Sequence, residues 1–345
     1  MSNLTVGIVG AGRIGQLHAD NIISSAKMTL KALADIDVSH LAGTRFSDCV
    51  PVITTDTEAL FNDPEIDAVF ICTSTDTHCH FIKKAAVAGK HIFCEKPISF
   101  NINETNEVLQ IVKDAGVKMQ IGFNRRYDKH FKHLRDMIKA GKIGQPHIIK
   151  ITSRDPETPP EEYIKRSGGM FMDMTIHDFD MVRYLASSEV KQVFVATANL
   201  IDEKFARNED VDTAIINLTF EDGSLAVIDN SRQAVYGYDQ RIEAFGDKGV
   251  VTVDNEQKTN VQISTKETVT IDHPKYFFLD RYKDAFVTEI NHFAASIIDG
   301  TPLLCTGEDG LEAQRLALAA RLSWKENRPV LLSEIENDVK MGVTK

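Results

Sequence analysis

The run "TVGIVGAGRIG", residues 5–15, constrains the fold more than any other stretch of the chain. An apolar, β-branched segment ends in Gly10, Gly12 and Gly15 and opens directly onto an amphipathic one, so a strand must turn into a helix within a few residues. Four further apolar runs follow: "LKALAD" (30–35), "AVFICT" (68–73), "HIFCEK" (91–96) and "KMQIGF" (118–123). Between them lie helical patterns such as "HCHFIKKAAVAGK" and "NETNEVLQIVKDAG". Strands that are apolar on both faces and alternate with helices predict a doubly wound α/β domain over residues 1–123, its parallel sheet covered on both sides.

Beyond Arg126 the pattern changes. A helical segment leads into "PHIIKITSRD", a second helical run covers "GGMFMDMTIHDFDMVRYLA", and alternating strands follow, with "EDGS" and "GDKG" as hairpin turns. Helical patterns close the chain. Residues 124–345 therefore read as an α+β domain with a large, open, mostly antiparallel sheet. A length of 345 residues suits two such domains.

Composition narrows the class of partner. With 43% hydrophobic and 26% charged residues the chain is globular, and a net charge of −11 without any basic block argues against nucleic acid or an anionic membrane surface. No apolar run approaches the roughly 18 residues of a membrane span, and the N-terminus enters a strand without the pattern of a signal peptide. The five cysteines, odd in number and without CxxC spacing, are expected to be reduced thiols in a cytoplasmic protein.

The glycine run has the GxGxxG spacing, and "LKALAD" ends in Asp35, 20 residues beyond Gly15. Glycines allow a tight turn and close approach of a pyrophosphate to the amides at a helix N-terminus, here those of Gly10, Ala11, Gly12, Arg13 and Ile14. Asp35 can accept hydrogen bonds from a ribose diol and would repel a 2′-phosphate, which favours NAD over NADP. Thr73, Ser74, Thr75 and His78 follow the next apolar run, where an open α/β sheet carries ligand contacts; Thr75, Asp76 and Thr77 also suit a helix N-cap, and both readings stand. Glu95 and Lys96, at the end of the run after that, complete the candidate cofactor contacts.

Lys96 precedes Pro97, which restricts its backbone and so aims the ammonium, although a snorkelling surface lysine would look the same in this segment alone. Asp173 and His177 are four apart in "MDMTIHDFD", on one face of a helix, where a carboxylate can orient an imidazole. One His and one Asp lack the further ligands of a zinc site, so no metal is expected. An alcohol that gives hydride to a nicotinamide must also lose its hydroxyl proton. His177 is assigned as the base, Asp173 as its orienting partner and Lys96 as the cation beside the oxygen.

With "GIVGAGRIG", "EKPIS", "GFNRRYD" and "GGMFMDMTIHDFDMVRYL" in place, the chain resembles the Gfo/Idh/MocA oxidoreductases over nearly its whole length. Through "GFNRRYD" and "SRDPETPP" it looks most like their inositol 2-dehydrogenases. The resemblance implies NAD-dependent oxidation of one ring hydroxyl of a cyclic polyol, myo- or scyllo-inositol, to a ketone. It also implies a homo-oligomer, commonly a tetramer, assembled through the open sheet of the second domain. Lys96, Asp173 and His177 take the family's catalytic positions, and Arg126, Asp155 and Tyr236 fall where such enzymes contact the polyol. Arg126 could instead pair with local acids, Asp155 initiate a turn, and Tyr236 cover the sheet edge. A sugar dehydrogenase acting on an aldose and an NAD-dependent glycosidase are the neighbouring possibilities.

Overall fold

The computed structural model describes residues 3–186 and 188–335. They form two compact units: Met1–Tyr127 with Asp284–Glu312, and Asp128–Lys283 with the chain from Ala313 on. The sequence pattern predicts a single division, at 123/124. Here the first unit extends to Tyr127 and also takes back a later segment, which includes most of the helix Lys283–Ile298. The reason lies in that helix's apolar face: Ile290, Phe293 and Ala294 pack in one buried cluster with Phe70 and Phe93 of the first unit.

The first unit is built on six parallel strands: β1 (Leu4–Val9), β2 (Met28–Ala34), β3 (Val52–Thr54), β4 (Ala68–Ile71), β5 (His91–Cys94) and β6 (Met119–Ile121), in the order β3-β2-β1-β4-β5-β6. Five were legible as apolar runs. The short edge strand β3 was not, because three half-buried residues offer no pattern. Strand order reverses between β1 and β4, so the loops leaving these two strands flank the switch point where an α/β sheet receives its ligand.

In the second unit a seven-stranded sheet runs β12-β11-β7-β10-β9-β8-β15, from β7 (Pro146–Arg154), β8 (Val190–Ala198), β9 (Thr213–Phe220), β10 (Leu225–Ser231), β11 (Asp239–Gly246), β12 (Gly249–Val253) and β15 (Val330–Leu331). Only β7 and β10 pair in parallel; the other neighbours are antiparallel, with the expected hairpins at β9–β10 and β11–β12. A separate exposed ribbon joins β13 (Gln262–Ser264) to β14 (Val269–Ile271). Side chains alternate across the large sheet. Ile149, Ile151, Ile216, Ile228 and Ala244 are buried on one face, whereas Ile215, Leu225, Phe245 and Val250 are exposed on the other. The helix Thr175–Leu185 meets the buried face through Asn230, whose amide accepts from Thr175 Oγ1 at 2.6 Å and donates to Asp178 Oδ2 at 2.9 Å.

Candidate active site

In the first unit the chain leaves β1 through Gly10, with φ +97°, where a Cβ would lie 2.5 Å from the carbonyl carbon of Cys72; a Cβ on Gly15 would meet Gly10 O at 1.8 Å. Only glycine fits either position. Gly12 caps the helix Arg13–Ile23 without any side-chain cap, and nothing lies within 4 Å of where its Cβ would be. The helix thus starts beside open space and without a capping side chain, which leaves room for a pyrophosphate at its N-terminus. Asp35, just past β2, accepts from Ala11 N at 2.5 Å, and Ala11 O accepts from Gln16 Nε2 at 2.8 Å, so the loop is held in shape by its own side chains. Arg13 and Gly12 are exposed and Ile14 is half-buried. These residues fit a dinucleotide, which supplies a nicotinamide as hydride acceptor when bound.

After β4, Ser74 is the exposed N-cap of the helix Thr75–Val87, again with no side-chain cap bond. The cap candidates Thr75, Asp76 and Thr77 all lie inside the helix, one position or more past its N-cap. Thr77 Oγ1 instead bonds back to Thr73 Oγ1 at 2.7 Å and to Ser74 O at 2.8 Å. His78 does not line the loop. It is 1% exposed, with Nδ1 2.8 Å from Pro97 O and Nε2 3.1 Å from Thr73 O. Burial holds its pKa below the ordinary imidazole value, against the opposing pull of the two carbonyls, Glu95 and Asp76.

Beyond β5, Glu95 turns its carboxylate onto His18, with Oε1 3.0 Å from Nε2, and half-buried Lys96 is joined to Pro97 by a cis peptide. Arg126 lies in the buried turn Asn124–Tyr127, where it donates to Leu304 O at 2.7 Å and to Asp309 Oδ1 at 2.9 Å. Its local-acid role is therefore realised in the first unit.

In the second unit the expected single helix is two, Gly169–Asp173 and Thr175–Leu185, meeting at Met174. Asp173 ends the first and His177 lies in the opening turn of the second, its amide donating to Met174 O at 3.3 Å. The Asp173 carboxylate accepts from Tyr163 OH at 2.7 Å and from Arg232 Nη1 at 3.1 Å. The same Nη1 reaches Asp155 Oδ2 at 3.2 Å. Parallel pairing explains the meeting: Arg154 of β7 lies opposite Ser231 of β10, so the next residues, Asp155 and Arg232, emerge side by side. Arg232 is 3% exposed; burial opposes its charge, but Asp173, Asp155 and Asp210 outweigh this and raise its pKa. Burial and then Asp173 raise the Tyr163 phenol well above its usual range, so Tyr163 is a hydrogen-bond donor here.

Tyr163 and Arg232 carry no local sequence signal, whereas Asp155 and Asp173, both expected at the site, gather around one guanidinium. Tyr236 is placed elsewhere: its hydroxyl donates to Asp239 Oδ2 at 2.5 Å and accepts from Arg154 Nη1 at 3.2 Å. Arg154 and Asp239 are cross-strand partners on the open face of the sheet, opposite the face of Ser153 and Gln240. Burial alone would raise Asp239, but bonds from Arg241, Tyr236 and Asn255 hold it below the ordinary carboxylate range. Among the described residues no cluster of three or more His, Cys, Asp or Glu is arranged to hold a metal.

A glycine cradle at the switch point of a parallel sheet, in a chain with a second α+β unit, is the build of a dinucleotide-binding protein. Residues 4–123 match the model of the oxidoreductase family with an NAD-binding Rossmann fold, residues 131–252 match the GFO/IDH/MocA C-terminal domain, and the chain belongs to the Gfo/Idh/MocA family. It is 51% identical over 333 residues to the uncharacterized oxidoreductase YrbE of Bacillus subtilis (strain 168), covering 96% of this chain and 98% of that one. It is 43% identical over 332 residues to the myo-inositol 2-dehydrogenase of Thermotoga maritima, covering 96% and 99%. The crystal structure of scyllo-inositol dehydrogenase from Lactobacillus casei with bound cofactor NAD(H) and scyllo-inositol matches with a TM-score of 0.89 at 29% identity, covering 96% of this chain and 100% of that one.

Proposed function

We propose that this protein is an NAD-dependent inositol 2-dehydrogenase, which oxidises one ring hydroxyl of myo- or scyllo-inositol to a keto-inositol. The observation that carries this reading is the 43% identity to a myo-inositol 2-dehydrogenase across 96% of the chain, with Lys96, Asp173 and His177 all present. His177 takes the hydroxyl proton as the ring carbon gives up hydride, and Asp173 orients the imidazole and stabilises its cation. Tyr163 and Arg232 in turn hold that carboxylate. The Lys96 ammonium stands beside the oxygen and stabilises the developing alkoxide. Asp155 is the acceptor we assign to a further ring hydroxyl; the hydroxyl contacts expected of Arg126 and Tyr236 would be additional to the protein bonds both already make.

The exposed apolar residues Ile215, Leu225, Phe245 and Val250 on the open sheet suit burial against a second copy of the chain, which makes a homo-oligomer, commonly a tetramer in such enzymes, part of the reading. The cysteines, none of them in a disulfide, suit a reducing compartment such as the cytoplasm.

Purified protein incubated with NAD and a panel of inositol isomers, aldoses and a nitrophenyl glycoside tests the reading at the nicotinamide absorbance band. NADH should appear with myo- or scyllo-inositol. Turnover with aldoses alone would make it a sugar dehydrogenase, and release of nitrophenol without net NADH would make it a glycosidase.

A further inference from the structure

Lys96 leaves the sheet just beyond β5, after Glu95 N has donated to Ile71 O at 3.0 Å. A lysine aimed at one oxygen needs more than a strand end to steady it, because an ångström of drift is costly at a reacting centre. The two residues that flank it are each gripped by a buried histidine. Glu95 is held by His18 at 3.0 Å, and the carbonyl of Pro97 by His78 at 2.8 Å. Both imidazoles are at most 1% exposed. The His18 ring is fixed by aromatic neighbours, with centroids at 5.0 Å to Phe93, 5.7 Å to Phe70 and 5.9 Å to Phe286. Gly122 leaves the carboxylate its place, since a Cβ there would come within 3.0 Å of Glu95 Oε1.

The two histidines belong to the two helices that begin at the cofactor loops, Arg13–Ile23 after β1 and Thr75–Val87 after β4. His18 Nε2 and Glu95 Oε1 stand at hydrogen-bond distance. His78 faces two carbonyls, and burial disfavours its charged form, so a neutral ring has one proton for two acceptors; the shorter contact, to Pro97 O, takes it.

We propose that His18 and His78 are positioning residues for Lys96, one clamping the residue before it and the other the residue after it, and so tie the lysine to both helices of the cofactor site. This rests on the catalytic role given to Lys96 above. The test exploits the reach of amide side chains. In His18→Gln the amide nitrogen extends to where Nε2 stood, whereas in His18→Asn it stops short. In His78→Asn the amide nitrogen stands near Nδ1, facing Pro97 O, whereas in His78→Gln it extends toward Thr73 O instead.

With saturating NAD and myo-inositol, kcat should stay within about threefold of the parent for His18→Gln and His78→Asn. It should fall roughly tenfold or more for His18→Asn and His78→Gln, while KM for NAD and the melting temperature stay close to the parent's. Equal kcat within each pair, losses that merely follow the melting temperature, or variants that do not fold would assign the histidines to core packing and overturn the proposal. Lys96→Ala separates the two levels. If it is inactive while the pairs show no difference, the clamp alone fails; if it turns over normally, the role of Lys96 itself fails.

Discussion

At the scale of single residues, Arg232 shows most clearly how this chain builds a polar site out of water. Its guanidinium, 3% exposed, lies among Asp155, Asp173 and Asp210. Arg232→Leu should destabilise the fold by about 3 kcal/mol, measured by urea unfolding, because it leaves the buried Asp210 and the partly buried Asp155 and Asp173 without their counter-charge. Turnover should fall with it, since Asp173 loses a donor. Lys96→Ala and His177→Ala should each lower kcat by at least about a hundredfold, and His177→Ala should leave the Kd for NAD unchanged. Asp35→Ala should raise KM for NAD and weaken discrimination against NADP, as read from initial rates with both cofactors. The glycine loop was legible because its chemistry is written in a short spacing, and the roles proposed for Lys96, Asp173 and His177 rest on equally short ones. Arg232 was not, since it meets Asp155 only through the parallel pairing of β7 with β10, a register no local pattern announces. Nor was the inward turn of His78 and Glu95, which depends on helix packing within the first unit.

At the scale of elements, the helix Lys283–Ile298 carries an acid into an apolar setting. Glu289 is 0% exposed, and neither of its carboxyl oxygens has a hydrogen-bond partner among the described residues. Burial first, and then the nearby Glu95, raise its pKa well above the ordinary 4.5. The folded protein therefore keeps a proton that the unfolded chain releases above about pH 4.5, and the stability that depends on it is lost as pH rises through that window. Glu289→Gln removes the dependence. Its melting temperature should exceed the parent's at neutral and higher pH, and the difference should shrink as pH falls toward about 4.5; a difference that grows on acidification would mean that Glu289 is ionised in the fold. The amphipathic pattern of this helix is plain in the sequence. What it packs against is not, because an apolar stripe does not say which domain will cover it.

At the scale of the whole molecule, the fold class followed from two periodicities: apolar runs between helices in the first half, alternating residues and tight hairpins in the second. The same alternation leaves an apolar strip on the open face of the second sheet, through Ile215, Leu225, Phe245 and Val250. Leu225→Glu with Phe245→Glu should reduce the sedimenting mass to a smaller species without altering the circular dichroism spectrum, because like charges introduced there cannot be buried against a second copy. An unchanged mass would place any self-association on another surface.

Direct transfer of the hydrogen of one inositol ring carbon to NAD as hydride, while the protein removes the hydroxyl proton, can be followed with myo-inositol deuterated at C2 and the mass of the reduced cofactor. NADH should carry one deuterium in its nicotinamide ring. Deuterium found in the solvent, or retained on the inositol ring while NADH forms, would contradict direct transfer.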